Sequence, residues 1–342
     1  DAVAFLWKES GTTCMNLPQT HELIRLFRLI IESAQPDAIV ITETNVPHPE
    51  NLSYFGNANE AHGIYNFSLP PLLVHALVTG TSQYLSTWMM MMPPAQNGTL
   101  YFNFIASHDG IGLRPVEGLL EQSEVDKLIA TMERFGGRIS WREITEGDAK
   151  PYEINIALVD ALQGTTAGPD EWWLERFTCA HAIMLGLEGV PAFYIHSLLG
   201  TRNDFDRLDH TSHNRSINRH QWALSALDTE LDDPASDHRA VFDALTSLIA
   251  LRKAQPAFHP NATQFTLHVG DKLFGFRRQS LDCNQSLFCI HNLTDEDQVL
   301  PLSRLNLALA DPWRELISET RINGSIRDWV LSPYQTLWIT NA

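Results

Sequence analysis

The sequence is poor in three features that would each indicate a particular class of protein. Only four cysteines occur in 342 residues, and no two of them show a paired short spacing: Cys14, Cys179, Cys283 and Cys289. This distribution argues against a disulfide framework or a zinc site and favours a reducing compartment, so we expect a cytoplasmic location. No stretch reaches the roughly 20 consecutive apolar residues that a membrane-spanning helix needs.

Basic side chains are also scarce relative to acidic ones. The chain has 24 Lys and Arg against 41 Asp and Glu, a formal net charge of −17. A surface with this balance repels nucleic-acid backbones and anionic lipid headgroups, so neither nucleic acid nor a membrane is expected as a partner. No cluster with metal-ligand spacing is visible, and no metal or cofactor is predicted. Hydrophobic residues make up 44% of the chain, enough for a large core.

Two patterns of hydrophobicity divide the chain. Up to about residue 258, helical spacing in segments such as 21–33 and 176–188 alternates with strand-like runs at 38–42, 64–67, 101–105 and 190–196. This alternation predicts a parallel sheet with helices packed outside it. From residue 259 the pattern becomes short strand-like runs separated by turn residues, which predicts a small antiparallel β-domain.

Three acidic side chains lie where strand-like runs meet loops. Asp1 adjoins the first apolar run, Glu43 follows 38–42 and Asp109 follows 101–105. Taken singly, each could be a cap, loop or turn residue. In a (β/α)₈ barrel, however, the carboxyl ends of the strands converge on one pocket. A pair of carboxylates about 5 Å apart performs retaining glycoside chemistry, one as nucleophile and one as acid and base.

The sequence segments around these acidic residues resemble those of a known family. DAVAFLWKE (1–9), VITETN (40–45) and NFIASHDG (103–110) are similar, in this order, to three of the four signature regions of glycoside hydrolase family 13, the α-amylase superfamily. The resemblance implies an α/β fold, a (β/α)₈ TIM barrel followed by a small antiparallel β-sandwich. It places the catalytic barrel at residues 1–258 and the β-domain at 259–342.

The resemblance also implies roles for individual residues. By matching position, Asp1 is the nucleophile, Glu43 the general acid and base, and Asp109 the carboxylate that stabilises the transition state. His108 would bind sugar hydroxyls. The family carries an Arg two residues before the nucleophile, and earlier an Asp and an Asn-His pair, which are not found here. The expectation is therefore a C-terminal fragment that begins within barrel strand four and holds strands four to eight.

Longer loops resemble the sucrose phosphorylase-like branch of the family, closest to glucosylglycerate and sucrose-6-phosphate phosphorylases. The matching segments are HDGIG (108–112), PYEIN (151–155), LPQTHE (17–22) and residues 199–219. By this match Tyr152 lies on a mobile loop at the acceptor site, and Arg215 lines the glucosyl subsite. The resemblance implies a retaining α-glucoside phosphorylase that forms α-glucose 1-phosphate, with inorganic phosphate as co-substrate and a sugar as donor.

A phosphorylase must bind an anion beside its own acidic groups, which requires arginine, lysine or backbone donors. Arg202, Arg207, Arg215 and Arg219 share one loop region and are candidates, although surface solvation is the simpler interpretation of Arg202 and Arg207. Arg114, five residues past Asp109, is a candidate for holding an anionic acceptor such as glycerate.

Other functions remain open from the sequence. A hydrolase or transglucosylase of the same family would carry the same three carboxylates. A barrel that serves as a transporter subunit usually loses its catalytic acids, which this chain retains. A carbohydrate-binding module would account for residues 259–342 but not for the alternation before them. A homodimer is left open.

Overall fold

The structure is a computed structural model that describes residues 2–145, 147–307, 312–322 and 326–342. The helices are α1 (Pro18–Ala34), α2 (His48–Leu52), α3 (Leu69–Thr79), α4 (Gln83–Met91), α5 (Gln122–Arg134), α6 (Leu158–Ala161), α7 (Trp173–Gly186), α8 (Ile195–Leu198), α9 (Phe205–Thr211), α10 (Leu224–Asp232) and α11 (Asp237–Lys253). Among the residues described, no helix combines the length and apolarity that crossing a bilayer requires.

The strands fall into a parallel set and several antiparallel sets. They are β1 (Ile41–Thr42), β2 (Gly63–Tyr65), β3 (Leu100–Asn103), β4 (Ile111–Gly112), β5 (Arg138–Thr145), β6 (Asp148–Asn155), β7 (Gly164–Thr165), β8 (Gly168–Pro169), β9 (Val190–Pro191), β10 (Thr263–Thr266), β11 (Leu273–Gln279), β12 (Ser286–Asn292), β13 (Gln298–Pro301), β14 (Trp313–Glu315), β15 (Arg321–Ile322), β16 (Asp328–Leu331) and β17 (Thr336–Thr340).

A four-stranded parallel sheet in the order β1-β2-β3-β9 forms the centre of the first part of the chain. Ile41 pairs with Gly63, Ile64 with Tyr101, and Phe102 with Val190, so consecutive strands lie side by side in nearly the same register. Helices run between these strands, which confirms the parallel sheet that the alternation predicts. Within the described residues these four strands do not close into a barrel.

Three strand predictions differ from the structure. Residues Val3–Phe5, expected near the end of barrel strand four, form a 3₁₀ turn that follows Ala2 in a left-handed conformation with φ 49°. Of the run 38–42 only Ile41–Thr42 pairs, and Ile39 is exposed rather than buried. Of 190–196 only Val190–Pro191 pairs with β3, and α8 begins at Ile195. In each case the extended segment is limited to the residues that have a neighbouring strand.

Helix α3 illustrates how closely packed this part of the chain is. It has proline in its first turn and ends at Gly80, whose φ of 70° suits a left-handed C-cap. Both signals are typical of helix ends. Its residues from Leu69 to Val78 are all buried, in a core shared with α7.

The second part of the chain is an antiparallel β-domain. A six-stranded sheet has the order β10-β11-β12-β17-β14-β15, and β13 pairs with β16 beside it. Phe276 and Trp338 from this sheet share a core with α7, and a Cβ added at Gly186 would lie 2.9 Å from the Phe276 ring. The sheet therefore packs directly on the helix that leads into β9. The first strand starts at Thr263, and a domain boundary at residue 259 stays a prediction.

Two buried histidines are expected to make the fold sensitive to acid. Burial lowers the pKa of His181 to about 4 and that of His291 to about 3, whereas an unfolded histidine titrates at about 6.5. The stability that each neutral ring contributes is complete above pH 6.5 and is lost as the pH falls from there through the folded pKa. Each ring then lowers the free energy of unfolding by about 2 kcal/mol between pH 7 and pH 5.

Urea unfolding of the wild type and of His291→Gln at these two pH values isolates one ring from other titrating groups. The variant should lose about 2 kcal/mol less than the wild type over this interval. An identical loss in both proteins would contradict the assignment.

Candidate active site

The described residues that the sequence assigns to the site gather around one cavity of about 620 Å³. Its lining includes every described residue of the predicted set: Glu43, His108, Asp109, Arg114, Tyr152 and Arg215. Asp1, the predicted nucleophile, lies outside the described residues. The loop arginine Arg219 also lines the cavity, whereas Arg202 and Arg207 are not among its lining residues.

The parallel sheet explains why the acids meet. Glu43 directly follows β1, and His108 and Asp109 follow β3 by a few residues. The carboxyl ends of parallel strands lie at the same edge of the sheet, so side chains that follow them face a common space. Gly110 brings this segment against β6, since its φ is 113° and an added Cβ would lie 2.5 Å from the Ile154 carbonyl oxygen. Only glycine fits this approach.

Asp109 is held by two guanidinium groups. The Oδ1 atom of Asp109 lies 2.8 Å from Nη1 of Arg215 and 3.0 Å from Nη2 of Arg219. The Nε2 atom of His108 is 3.4 Å from the same oxygen. Arg219 also donates to the backbone carbonyl of His108 at 2.7 Å. Charge-assisted contacts of this kind fix the carboxylate's position and direction within the cavity.

A third carboxylate of the cavity, Glu153, was not among the predicted residues. It is 2% exposed and receives a two-pronged contact from Arg215, with Nε at 3.1 Å and Nη2 at 2.7 Å. Burial raises the pKa of Glu153, Arg215 opposes that rise, and the charge of Asp109 adds to it. Arg215 thus lies between Glu153 and Asp109. The available signal was a single acidic residue in the mainly apolar segment 152–157.

Tyr152 lies on a strand, and its prediction on a mobile loop is wrong. It belongs to β6, which pairs with β5 on one side and with β4 on the other. Its carbonyl accepts from the backbone N–H of Leu113 at 2.9 Å, and its hydroxyl accepts from the Asn45 amide at 3.4 Å. Burial, with the charge of Glu153, raises the pKa of Tyr152. The phenol is therefore held in its protonated form at a fixed place in the cavity wall.

Aromatic rings form a further cavity of about 330 Å³ that shares Glu43 and His108 with the larger one. Its rings come from Tyr65, Phe67, Phe102, Phe104, Phe193 and Tyr194. Burial, followed by the charge of Glu43, raises the pKa of Tyr65. Apolar walls with a few convergent polar groups are typical of small-molecule sites. No sequence signal distinguished these rings from core residues.

Only some of the arginines that follow α8 line the cavity described above. Arg202 contacts Asp160 at 3.2 Å and Asp237 at 3.3 Å, and its guanidinium lies over the Trp173 ring. Arg202 therefore belongs to a structural cluster outside the cavity that Glu43 and Asp109 line. Among the described residues, no group of three or more His, Cys, Asp or Glu side chains is arranged to hold a metal ion.

The chain has close relatives among known proteins, although no family model matches it. It is 40% identical over 341 residues to the glucosylglycerate phosphorylase of Escherichia coli K12, covering 99% of this chain and 59% of that protein. It is 37% identical over 341 residues to the glucosylglycerate phosphorylase of Allomeiothermus silvanus, covering 99% of this chain and 58% of that protein. The chain therefore spans somewhat less than three fifths of the length of these relatives.

Solved structures share the fold. The sucrose 6F-phosphate phosphorylase of Thermoanaerobacter thermosaccharolyticum superposes with a TM-score of 0.71 at 21% identity, covering 86% of this chain and 55% of that one. An α-amylase from H. orenii superposes with a TM-score of 0.59 at 13% identity, covering 97% of this chain and 60% of that one. With this fold and with the sequence identity that runs over nearly its whole length, the chain belongs to the sucrose phosphorylase-like branch of glycoside hydrolase family 13.

Proposed function

We propose that the protein carrying this chain is a retaining α-glucoside phosphorylase. It transfers the glucosyl unit of glucosylglycerate to inorganic phosphate and releases α-glucose 1-phosphate and glycerate. The observation that carries the proposal is a cavity lined by Glu43 and Asp109 together with four arginines: Arg114, Arg142, Arg215 and Arg219. Such a wall suits an anionic co-substrate better than water. The names of the relatives at 40% and 37% identity support the donor.

Two displacements account for the reaction and for retention. In the first, the Asp1 carboxylate attacks the anomeric carbon while Glu43 protonates the leaving glycosidic oxygen, so the C–O bond to glycerate breaks. In the second, phosphate attacks the same carbon, the bond to Asp1 breaks, and Glu43 accepts a proton from phosphate. The role of Asp1 rests on its match to the family. A separation of about 5 to 6 Å between the Asp1 and Glu43 carboxylates stays a prediction.

The remaining side chains of the cavity bind and orient the sugar and the acceptor. Asp109, fixed by Arg215 and Arg219, faces the sugar hydroxyls with His108 and balances the positive charge that develops on the ring. Tyr152 and Arg114 lie at the acceptor end.

We further propose that the four parallel strands are part of a (β/α)₈ barrel and that the β-domain begins near residue 259. The four cysteines are free thiols, which supports a cytoplasmic location.

Product analysis with and without phosphate tests this function. The protein is incubated with glucosylglycerate, and in parallel with sucrose and sucrose-6-phosphate. Glucosylglycerate should yield α-glucose 1-phosphate only when phosphate is present. Release of free glucose at the same rate in both conditions would identify a hydrolase, and transfer to sugar acceptors without phosphate would identify a transglucosylase.

Replacing Glu153 with Gln is expected to lower kcat/KM about tenfold, the size of one charge-assisted contact. The amide preserves the shape of the side chain but removes one of the two negative charges that hold Arg215. Steady-state phosphorolysis measures the effect. Glu143→Gln is the matched control, because Glu143 is exposed on the neighbouring strand β5. Equal rates for both variants would contradict the role of Glu153.

A further inference from the structure

The four arginines of the cavity differ in their charge partners. Arg215 and Arg219 are both bound to Asp109, and Arg215 also to Glu153. Arg114, by contrast, makes no ion pair within the described part of the chain. Its Nη2 atom lies 3.0 Å from the sulfur of Met15, which carries no charge. Arg114 is therefore a half-buried cation that forms no direct contact with a carboxylate in the described residues, and the charges of Glu50 and Glu117 act on it only through space.

Arg142 has a partner that a ligand could replace. Its Nη2 atom lies 2.5 Å from Oε1 of Glu117, whose side chain is 43% exposed and is not among the cavity's lining residues. An ion pair with so exposed a carboxylate contributes little, about 0 to 1 kcal/mol. Arg142 can thus leave Glu117 at small cost and turn its guanidinium to an anion inside the cavity.

The two guanidiniums lie close enough to affect each other. Burial lowers the pKa of Arg114, and the positive charge of Arg142 lowers it further. The Nε atoms of both side chains are shielded from solvent and lack a hydrogen-bond partner within the described residues. A buried donor without an acceptor is unfavourable. An oxyanion bound by both side chains would relieve their mutual repulsion.

The backbone holds this pair beside the catalytic groups. Arg114 begins a 3₁₀ turn shortly after β4, and Arg142 lies on β5. Both strands pair with β6, which carries Tyr152 and Glu153. The three-stranded sheet therefore fixes the backbone positions of the two arginines relative to that of Tyr152.

We propose that Arg114 and Arg142 form an oxyanion subsite that binds the carboxylate of the three-carbon hydroxy acid leaving group, and that Arg142 exchanges Glu117 for this ligand. The inference rests on the proposed glucosyl transfer and adds to it a basis for acceptor choice. A neutral polyol of the same length offers the hydroxyl groups but no charge, so the pair selects glycerate over glycerol.

Glucosyl transfer from α-glucosyl fluoride to glycerate or to glycerol tests the subsite. Arg114→Gln and Arg142→Gln should each raise KM for glycerate at least tenfold, while KM for glycerol changes less than threefold. Glu117→Gln, which removes the competing carboxylate, should lower KM for glycerate about two- to fivefold. Arg138→Gln is the matched control, because Arg138 is exposed on the same strand and donates to the backbone carbonyls of Gly136 and Gly137. Its KM for glycerate should equal that of the wild type.

Three outcomes would overturn the subsite. One is an equal rise in KM for glycerate and glycerol, and another is an unchanged KM for glycerate. The third is a rise confined to KM for phosphate in phosphorolysis, which would assign the pair to phosphate instead. If α-glucosyl fluoride is not turned over at all, the proposed function fails. The subsite is then tested separately by titration calorimetry, in which glycerate should bind the wild type more tightly than either variant.

Discussion

Glu43→Gln is expected to lower kcat for phosphorolysis of glucosylglycerate about 10³-fold, within the range that general acid catalysis contributes. The amide cannot donate the proton that the glycerate oxygen needs when its bond to the sugar breaks. Fluoride leaves without that proton, and the phosphate that follows is itself an anionic nucleophile. Turnover of α-glucosyl fluoride in the presence of phosphate should therefore fall less than about tenfold.

The informative quantity is the fall in kcat on glucosylglycerate compared with the fall in turnover of α-glucosyl fluoride. Glu22→Gln serves as the control, because Glu22 is exposed on α1 and, among the described residues, its ion pair is with Arg25. It should match the wild type on both substrates. Equal losses on glucosylglycerate and on glucosyl fluoride in Glu43→Gln would show that Glu43 is not the acid.

Asp109→Asn is expected to lower kcat/KM about 10³-fold for both substrates, as loss of an electrostatic contact to the transition state does. The amide removes the negative charge that opposes the oxocarbenium-like ring, and that charge develops whatever group leaves. It also leaves Arg215 and Arg219 beside a neutral amide instead of the carboxylate that they share. Steady-state kinetics with the two donors separates this role from that of Glu43.

Asp126→Asn is the control for Asp109, since Asp126 is exposed on α5 and its side chain accepts a hydrogen bond from Gln122 on the same helix. Unfolding of Asp109→Asn in urea accompanies the kinetics and shows whether the variant is folded at the assay temperature. A loss confined to glucosylglycerate would assign Asp109 to proton transfer rather than to charge stabilisation.

The parts of the site that the sequence predicts are those that depend on local order along the chain. Glu43 and Asp109 each follow an apolar run, and parallel strands bring their carboxyl ends together whatever the intervening helices are. The ends of α3 were equally visible, because proline and Gly80 act through their own backbone conformations.

The parts that the sequence does not predict depend on contacts between distant segments. Glu153 gains its place in the site from Arg215, which lies 62 residues further along the chain. Tyr152 is held on a strand because β4 and β5 pair with β6, and this pairing is not visible in the segment around residue 152. The exposure of Ile39 shows the same limit, since an apolar run alone does not reveal which of its residues has a neighbour.

The central claim is that glucosyl transfer passes through a covalent bond to Asp1 and ends on phosphate. Glu43→Gln is mixed with α-glucosyl fluoride, quenched and digested, and the peptides are weighed by mass spectrometry. The peptide that contains Asp1 should carry one glucosyl unit, and adding phosphate before the quench should remove it and release α-glucose 1-phosphate. A glucosyl unit on another residue, or β-glucose 1-phosphate as the product, would contradict the account.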